Sequence, residues 1–467
     1  MFPPMPMLPR SSISASSLAC LAAFWLAMAG QGAMASGRCI DEERHEGSGA
    51  VAEDSGSNAP ADPQGNLRGL VRDALDRSNA VGASRLLAEA ASLDVVETRT
   101  AKLPQVALSA GVGPGGSRQQ GNSEIAAAQL RATLAVNQLL YDGGRVDRLA
   151  DWRTQLAESA RLGTLSLREQ IALSTVALAL ERSRYRQHVL IYGQYVRKTG
   201  CLVEALETIV RADRGRASEL VQARKTLQQA ELLQAGAQSQ ARQVDIRLRR
   251  MVGDGLPGIE GLSSVFMAVA PLSELVADVE RSSDMAQSAA QAAAANEYAR
   301  VVAAGNKPQV SWGFTGGGAV GTGSIGNGSG PTHSNNFSLG VAVTVPLYTP
   351  GYEPAMGAAR RRAEAAALQR ADALEARRYR VAEVYEQTLT SFERARRVGA
   401  VLRDSEQLRN FTLQQWQQLG RRSLFDVMGT EAEHYNLRVA YINALHDGQQ
   451  LNALLLSLGR GVNEWLR

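Results

Sequence analysis

The chain has 467 residues, with 50 Lys and Arg against 46 Asp and Glu, a net charge of +4 and only 15 prolines. The arginines are spread along helical faces and form no patch, which excludes a nucleic-acid binder held by phosphate contacts. Few aromatics and much Ala, Gln, Arg and Leu fit a protein dominated by long helices.

Residues 1–35 read as a secretory signal: Arg10, a Ser-rich step, an apolar run from Leu18 to Ala29, and the small-residue site Ala33-Met34-Ala35 before Ser36. The apolar run is shorter than the roughly 20 residues of a spanning helix. Arg38 precedes Cys39, where lipid attachment would need a small residue. Cys20 leaves with the signal, so Cys39 and Cys201 could make one disulfide in an oxidising compartment, which is no framework. Residues 36–65 are acidic, rich in Gly, Ser and Pro and aperiodic, as a flexible N-terminus would be. His45-Glu46 starts no zinc motif, because Gly49 stands where the second His belongs.

A first unit spans residues 66–253. Leu67, Leu70, Val71, Ala74 and Leu75 recur at helical spacing, predicting a helix over 66–100 that ends before Pro104. A strand over 105–112, a Gly-rich loop over 113–123 and a strand over 130–141 follow. In the second strand Leu130, Ala132, Leu134 and Val136 alternate with Arg131, Thr133, Ala135 and Asn137, the period of a sheet with one apolar face. After Asp142-Gly143-Gly144 there is no proline until Pro257. A helix over 145–211 would be on the order of 100 Å long and needs lateral partners along its whole extent. A reversal at Gly215 returns the chain to Met251, and residues 254–271 read as a linker.

The second unit spans residues 272–459: a helix over 272–304, a strand over 309–315, a Gly/Ser/Asn loop to Asn335 and a strand over 336–345. A helix over 355–418, a reversal at Gly420 and a helix over 423–458 follow, with 460–467 as a tail. Landmarks repeat at a near-constant offset: 204 from Pro104 to Pro308, 205 from Gly215 to Gly420, 206 from Gly253 to Gly459 and 207 from Tyr141 to Tyr348. Such spacing marks two tandem structural repeats.

Four strands cannot close a barrel, and open edges are not tolerated in a bilayer, so if these strands span a membrane several chains must share one barrel. Their length suits tilted spanning strands, and Tyr141 and Tyr348 stand where an interfacial aromatic belt would sit. The competing reading is a soluble sandwich with one buried face.

The run Asn137-Gln138-Leu139-Leu140-Tyr141-Asp142-Gly143-Gly144, its second copy Val345-Pro346-Leu347-Tyr348, and Gly420-Arg421-Arg422-Ser423-Leu424-Phe425-Asp426-Val427 resemble the TolC family of outer-membrane efflux proteins. The resemblance covers about 66–459. It implies an α+β membrane fold, with a homotrimeric β-barrel built from four strands of each chain and continued by a long α-helical coiled-coil barrel across the periplasm. It further implies an outer-membrane location and docking onto an inner-membrane transporter through a periplasmic adaptor protein, for drug efflux or type I protein secretion. The Leu140–Gly144 turn and the lack of a lipid-attachment Cys look more like the secretion branch. Asp426 matches a carboxylate of the family's periplasmic gate and Arg422 a linking guanidinium. Gly429 stands where some members have a second acid, and Leu220 or Val221 where the first repeat often has Asp. Arg422 and Asp426 could equally be an ordinary exposed i,i+4 pair.

Gly316-Gly317-Gly318-Ala319-Val320-Gly321 satisfies GxGxxG, but no helix follows, so an exposed loop is the expectation. His188, His434 and His446 lie in helical text, and Glu431, Glu433 and His434 are expected on solvated helix surface. No enzyme, cofactor or metal site is expected. The rival from another class is a secreted coiled-coil structural or adhesive protein whose strands form a soluble head.

Overall fold

The computed structural model describes residues 62–119, 122–256, 258, 261–325, 328–419 and 422–467. The expected signal, His45-Glu46 and Gly420 lie outside them.

Helix α1 (Pro63–Arg77) begins at Asp62, whose carboxylate accepts the Gly65 N–H at 2.9 Å. The helix expected over 66–100 is interrupted at Ser78, whose Oγ accepts the Val81 N–H at 3.3 Å and starts α2 (Asn79–Thr100). A serine hydroxyl offers a free N–H a partner outside the helical ladder, which favours caps over helix interiors. The second repeat is interrupted at the equivalent place, although there the serine hydroxyl makes no cap hydrogen bond. In place of one helix over 272–304 it has α5 (Leu272–Val279) and α6 (Ser283–Ala304), with Ser282 between them at the N-cap. Ser78 and Ser282 are 204 positions apart, within the spacing of the other landmarks.

The strands run further than their side-chain alternation. They are β1 (Gln105–Gln119), β2 (Asn122–Tyr141), β3 (Gln309–Ile325) and β4 (Gly328–Thr344), joined in one antiparallel sheet of order β1-β2-β3-β4. Most of the expected loops over 113–123 and 316–335 is therefore ladder, and the GxGxxG lies inside β3. Ladder bonds are backbone bonds, so glycine hides a strand from a periodicity reading without preventing it. At Gly317 it is required: a Cβ would sit 2.5 Å from the Ala132 carbonyl oxygen.

Helix α3 (Arg145–Ala212) and helix α7 (Tyr352–Leu419) each have 68 residues, about 100 Å. A 3-10 turn (Arg214–Arg216) containing Gly215 leads from α3 into α4 (Ala217–Val252), and α7 is followed by α8 (Leu424–Leu458). Alanines on α4 (Ala223, Ala230, Ala237) are buried, which lets paired helices approach closely. Cys201 on α3 is disulfide-bonded.

The largest core cluster lies where α1 packs against α3 and α4, beside Ala453 of α8: Leu67, Leu70, Val71, Val176, Leu180 and Leu248 are buried there with Phe266 and Val462. Phe266 has a left-handed backbone, φ 58°, and its ring stacks on Trp465 at 4.2 Å. The Phe266 carbonyl accepts the Asn452 side chain at 2.7 Å, and Gln449 donates to the carbonyls of Leu262 and Val265. Residues 460–467, expected as a tail, contain a short helix α9 (Val462–Trp465) packed into this core. Glu169 of α3 accepts the N–H groups of Val462 and Asn463, and Gln64 donates to the Trp465 carbonyl at 3.1 Å.

Candidate functional site

The sheet is amphipathic in register as well as in sequence. Val106, Leu108 and Val112 of β1 oppose Val136, Leu134 and Leu130 of β2; Val136 opposes Phe314 of β3, which opposes Leu339 of β4. One face is thus a continuous apolar band. The other carries Ser109, Arg131, Thr133, Asn137, Thr315 and Ser338 among glycines and alanines. The apolar band is left open, with Leu108 75% and Leu339 72% exposed. Among the described residues, the outer edges of β1 and β4 have no strand partner. Such a sheet lacks a neighbour on two edges and a non-aqueous surface on one face.

The sheet joins the helices through Asp142-Gly143-Gly144. Asp142 is buried, and its two carboxylate oxygens accept the N–H groups of Gly144 at 2.9 Å and Val146 at 2.6 Å, capping α3. Gly143 has φ 67°, and a Cβ there would lie 2.4 Å from the Lys307 side chain. Tyr141 closes β2, Tyr348 follows β4, and both are exposed. Trp312 was not singled out in the sequence; its Nε1–H donates to Gln138 Oε1 at 2.9 Å on the apolar face at the same level. Its alternation with Val310 and Phe314 was the available signal.

At the opposite end the helices reverse. Asp213 accepts the Gly215 N–H at 3.0 Å. Beyond Gly420, Ser423 caps α8 in a reciprocal box: its Oγ accepts the Asp426 N–H and Asp426 Oδ2 accepts the Ser423 N–H, both at 3.2 Å. Arg422 precedes the cap, outside the helix, and donates to Gln415 of α7 at 3.2 Å. The i,i+4 pairing considered for Arg422 and Asp426 is replaced by these partners, because the helix starts after Arg422. Both side chains are exposed, while Leu202, Leu206, Ala223, Leu424 and Val427 pack the two reversals together.

Two to three turns beyond the cap, Glu431 and His434 are buried, and of the three only Glu433 is exposed. The expectation of solvated surface fails because α3 and α7 cover this face of α8. The Glu431 carboxylate lies 3.9 Å from Lys198 of α3 and 3.9 Å from Arg409 of α7. Burial, then the nearby Arg409 and Arg438, lower His434 to about 4. His188 and His446 are likewise lowered to about 4, mainly by burial. These are neutral packing imidazoles at pH 7. Among the described residues there is no group of three or more metal-ligating side chains, and no helix is long and apolar enough to cross a membrane.

No family model and no curated protein matches the sequence. Solved structures match the fold. The outer membrane protein VceC from Vibrio cholerae aligns with TM-score 0.68 and 18% identity over 85% of this chain and 96% of that one. The MtrE outer membrane channel of Neisseria gonorrhoeae aligns with TM-score 0.69 and 18% identity over 84% and 89%. CusC, described for its transmembrane channel formation, aligns with TM-score 0.72 and 16% identity over 85% and 92%.

Proposed function

We propose that this chain, which has the fold of bacterial outer-membrane channels, is the protomer of a TolC-type homotrimeric channel that exports cargo across the outer membrane. The observation that carries this reading is the unclosed amphipathic sheet. Its two free edges would be satisfied by the same edges of neighbouring copies, and its apolar band by lipid. Tyr141, Tyr348 and Trp312 would form the interfacial belt at the periplasmic side. The helices would continue the bore into the periplasm, far beyond the roughly 30 Å hydrocarbon core. Exposed apolar side chains along them, including Leu86, Leu93, Leu368 and Phe411, support lateral packing against neighbouring helices.

The tip built from Gly215, Gly420, Arg422 and Asp426 would form the periplasmic entrance, where three copies of Asp426 attract cations. A periplasmic adaptor and an inner-membrane transporter would supply cargo and energy. The Leu140–Gly144 turn makes an exported protein, as in type I secretion, the first cargo to test against small-molecule efflux.

The test is fractionation with cross-linking. The expected result is a detergent-requiring trimer in the outer-membrane fraction that conducts ions in planar bilayers. Recovery as a helical protein without detergent would overturn the proposal in favour of a secreted coiled-coil protein with a soluble β head.

A further inference from the structure

Arg131 lies on the polar face of the sheet. Across residues 105–114, 128–141, 309–322 and 333–344 it is the one permanently charged side chain. Its cross-strand neighbours are Gly111 of β1 and Ala319 of β3, neither of which can shield or pair it. Arg131 is exposed, and its guanidinium donates to Gln129 Oε1 at 3.3 Å. A shallow cavity of about 360 Å³ opens at this place, with Ser109, Gly111, Gln129 and Thr133 in its wall beside Arg131. The nearest strand carboxylate in sequence, Glu124, is about 23 Å further along β2 at an extended rise. The small residues around Arg131 therefore leave a guanidinium free to meet whatever occupies that side of the sheet.

We infer that Arg131 is a selectivity residue: in the assembled channel three copies ring the bore near its outer mouth and favour chloride, carboxylates and phosphates over cations. The inference rests on the trimeric channel reading, in which the polar face lines the bore. Arg131 is ten positions above Tyr141, about 33 Å of strand, or about 25 Å of height at a tilt near 40°. That is the far side of the hydrocarbon core from the helices. Walls of low dielectric focus the field of such a ring, and arginine rings are a known means of selecting anions. A guanidinium presents paired donors that fit carboxylate and phosphate oxygens.

The experiment compares wild type, Arg131→Lys, Arg131→Gln and Arg131→Glu as purified trimers in planar bilayers. Reversal potentials are measured under a KCl gradient at low ionic strength and neutral pH. Each is repeated in an Asp426→Asn background to remove the tip's contribution. The chloride-to-potassium permeability ratio is expected to fall by about twofold in Arg131→Gln and by about as much again in Arg131→Glu, from screened unit charges across a bore of roughly 10 Å radius. Arg131→Lys keeps the wild-type ratio. Conducting trimers whose ratio is the same in all four proteins overturn the inference and leave the channel intact. A wild type that forms no conducting trimer overturns the channel reading, and this inference with it.

Discussion

Glu431→Gln removes one charge from a place that water barely reaches. Glu431 is 1% exposed, and the side chains of Lys198 and Arg409 are 8% and 11% exposed, each 3.9 Å from its carboxylate. The two cations come from different helices, α3 and α7, so the carboxylate on α8 neutralises a junction of three helices. Breaking a buried ion pair from one side costs about 3–5 kcal/mol, because the remaining charge stays buried and uncompensated. At 3.9 Å the pairs are longer than charge-assisted hydrogen bonds, and both cations have further interactions, so the lower end, about 3 kcal/mol, is expected. The assay is the far-UV circular dichroism melt of detergent-purified protein at fixed scan rate, where a fall in midpoint on the order of 5 °C should appear. The double variant Glu431→Met with Lys198→Met should recover part of that loss, since replacing a buried pair by apolar side chains is often neutral. A wild-type midpoint for Glu431→Gln would refute the idea that this junction is held by charge.

Gly143→Ala places a side chain at φ 67° and within 2.4 Å of Lys307, so it should lower the thermal midpoint more than the same change at the uncrowded Gly340. His188, His434 and His446 are held near 4 in the folded state against 6.5 for free imidazole. The unfolded state therefore binds more protons between these values; stability should be full above about pH 6.5 and fall as pH drops toward 4, and urea midpoints across that range would check it. Ser423→Ala removes the hydroxyl that caps α8 and should cost about 1 kcal/mol, seen as faster hydrogen exchange confined to residues 424–430. Cysteines placed at Ser117 and Ser324, at the hairpin ends away from the helices, should react with an impermeant label on intact cells; labelling only after the outer membrane is broken would reverse the orientation.

Much of the helical architecture was legible because it is written in absences. Without proline, and with apolar residues three and four apart, the limits 145–211 fall within one residue of Arg145–Ala212. The strand limits were legible only where side chains alternate. Beyond Val112 and Thr315, glycine continues the ladder with no side chain to announce it. The breaks at Ser78 and Ser282 were hidden because serine is compatible with helix text; at Ser78 the hydroxyl caps the next helix, whereas at Ser282 it makes no cap hydrogen bond. Glu431 and His434 were misjudged for a different reason: one helix shows an exposed polar stripe, and only the crossing of α3 and α7 reveals that it is covered. Arg422 and Asp426 are spaced as a helical pair, yet the helix begins between them.

The junction of α1 with α9 bears on how the molecule is made. The hydrogen bond from Gln64 to Trp465 spans 401 positions, and Val462 shares a cluster with Leu67, Leu70 and Phe266. Contacts of such separation close late, because the loop entropy is lost before the contacts form. Until residues 462–466 are available, α1 lacks part of its seat, while the sheet already presents two open edges and a bare apolar band. The newly made chain thus passes through an interval in which its strands can pair with a wrong neighbour before its last residues dock. A holding factor that covers the sheet during that interval would raise the yield of native protein, whereas one that covers only the helices would not.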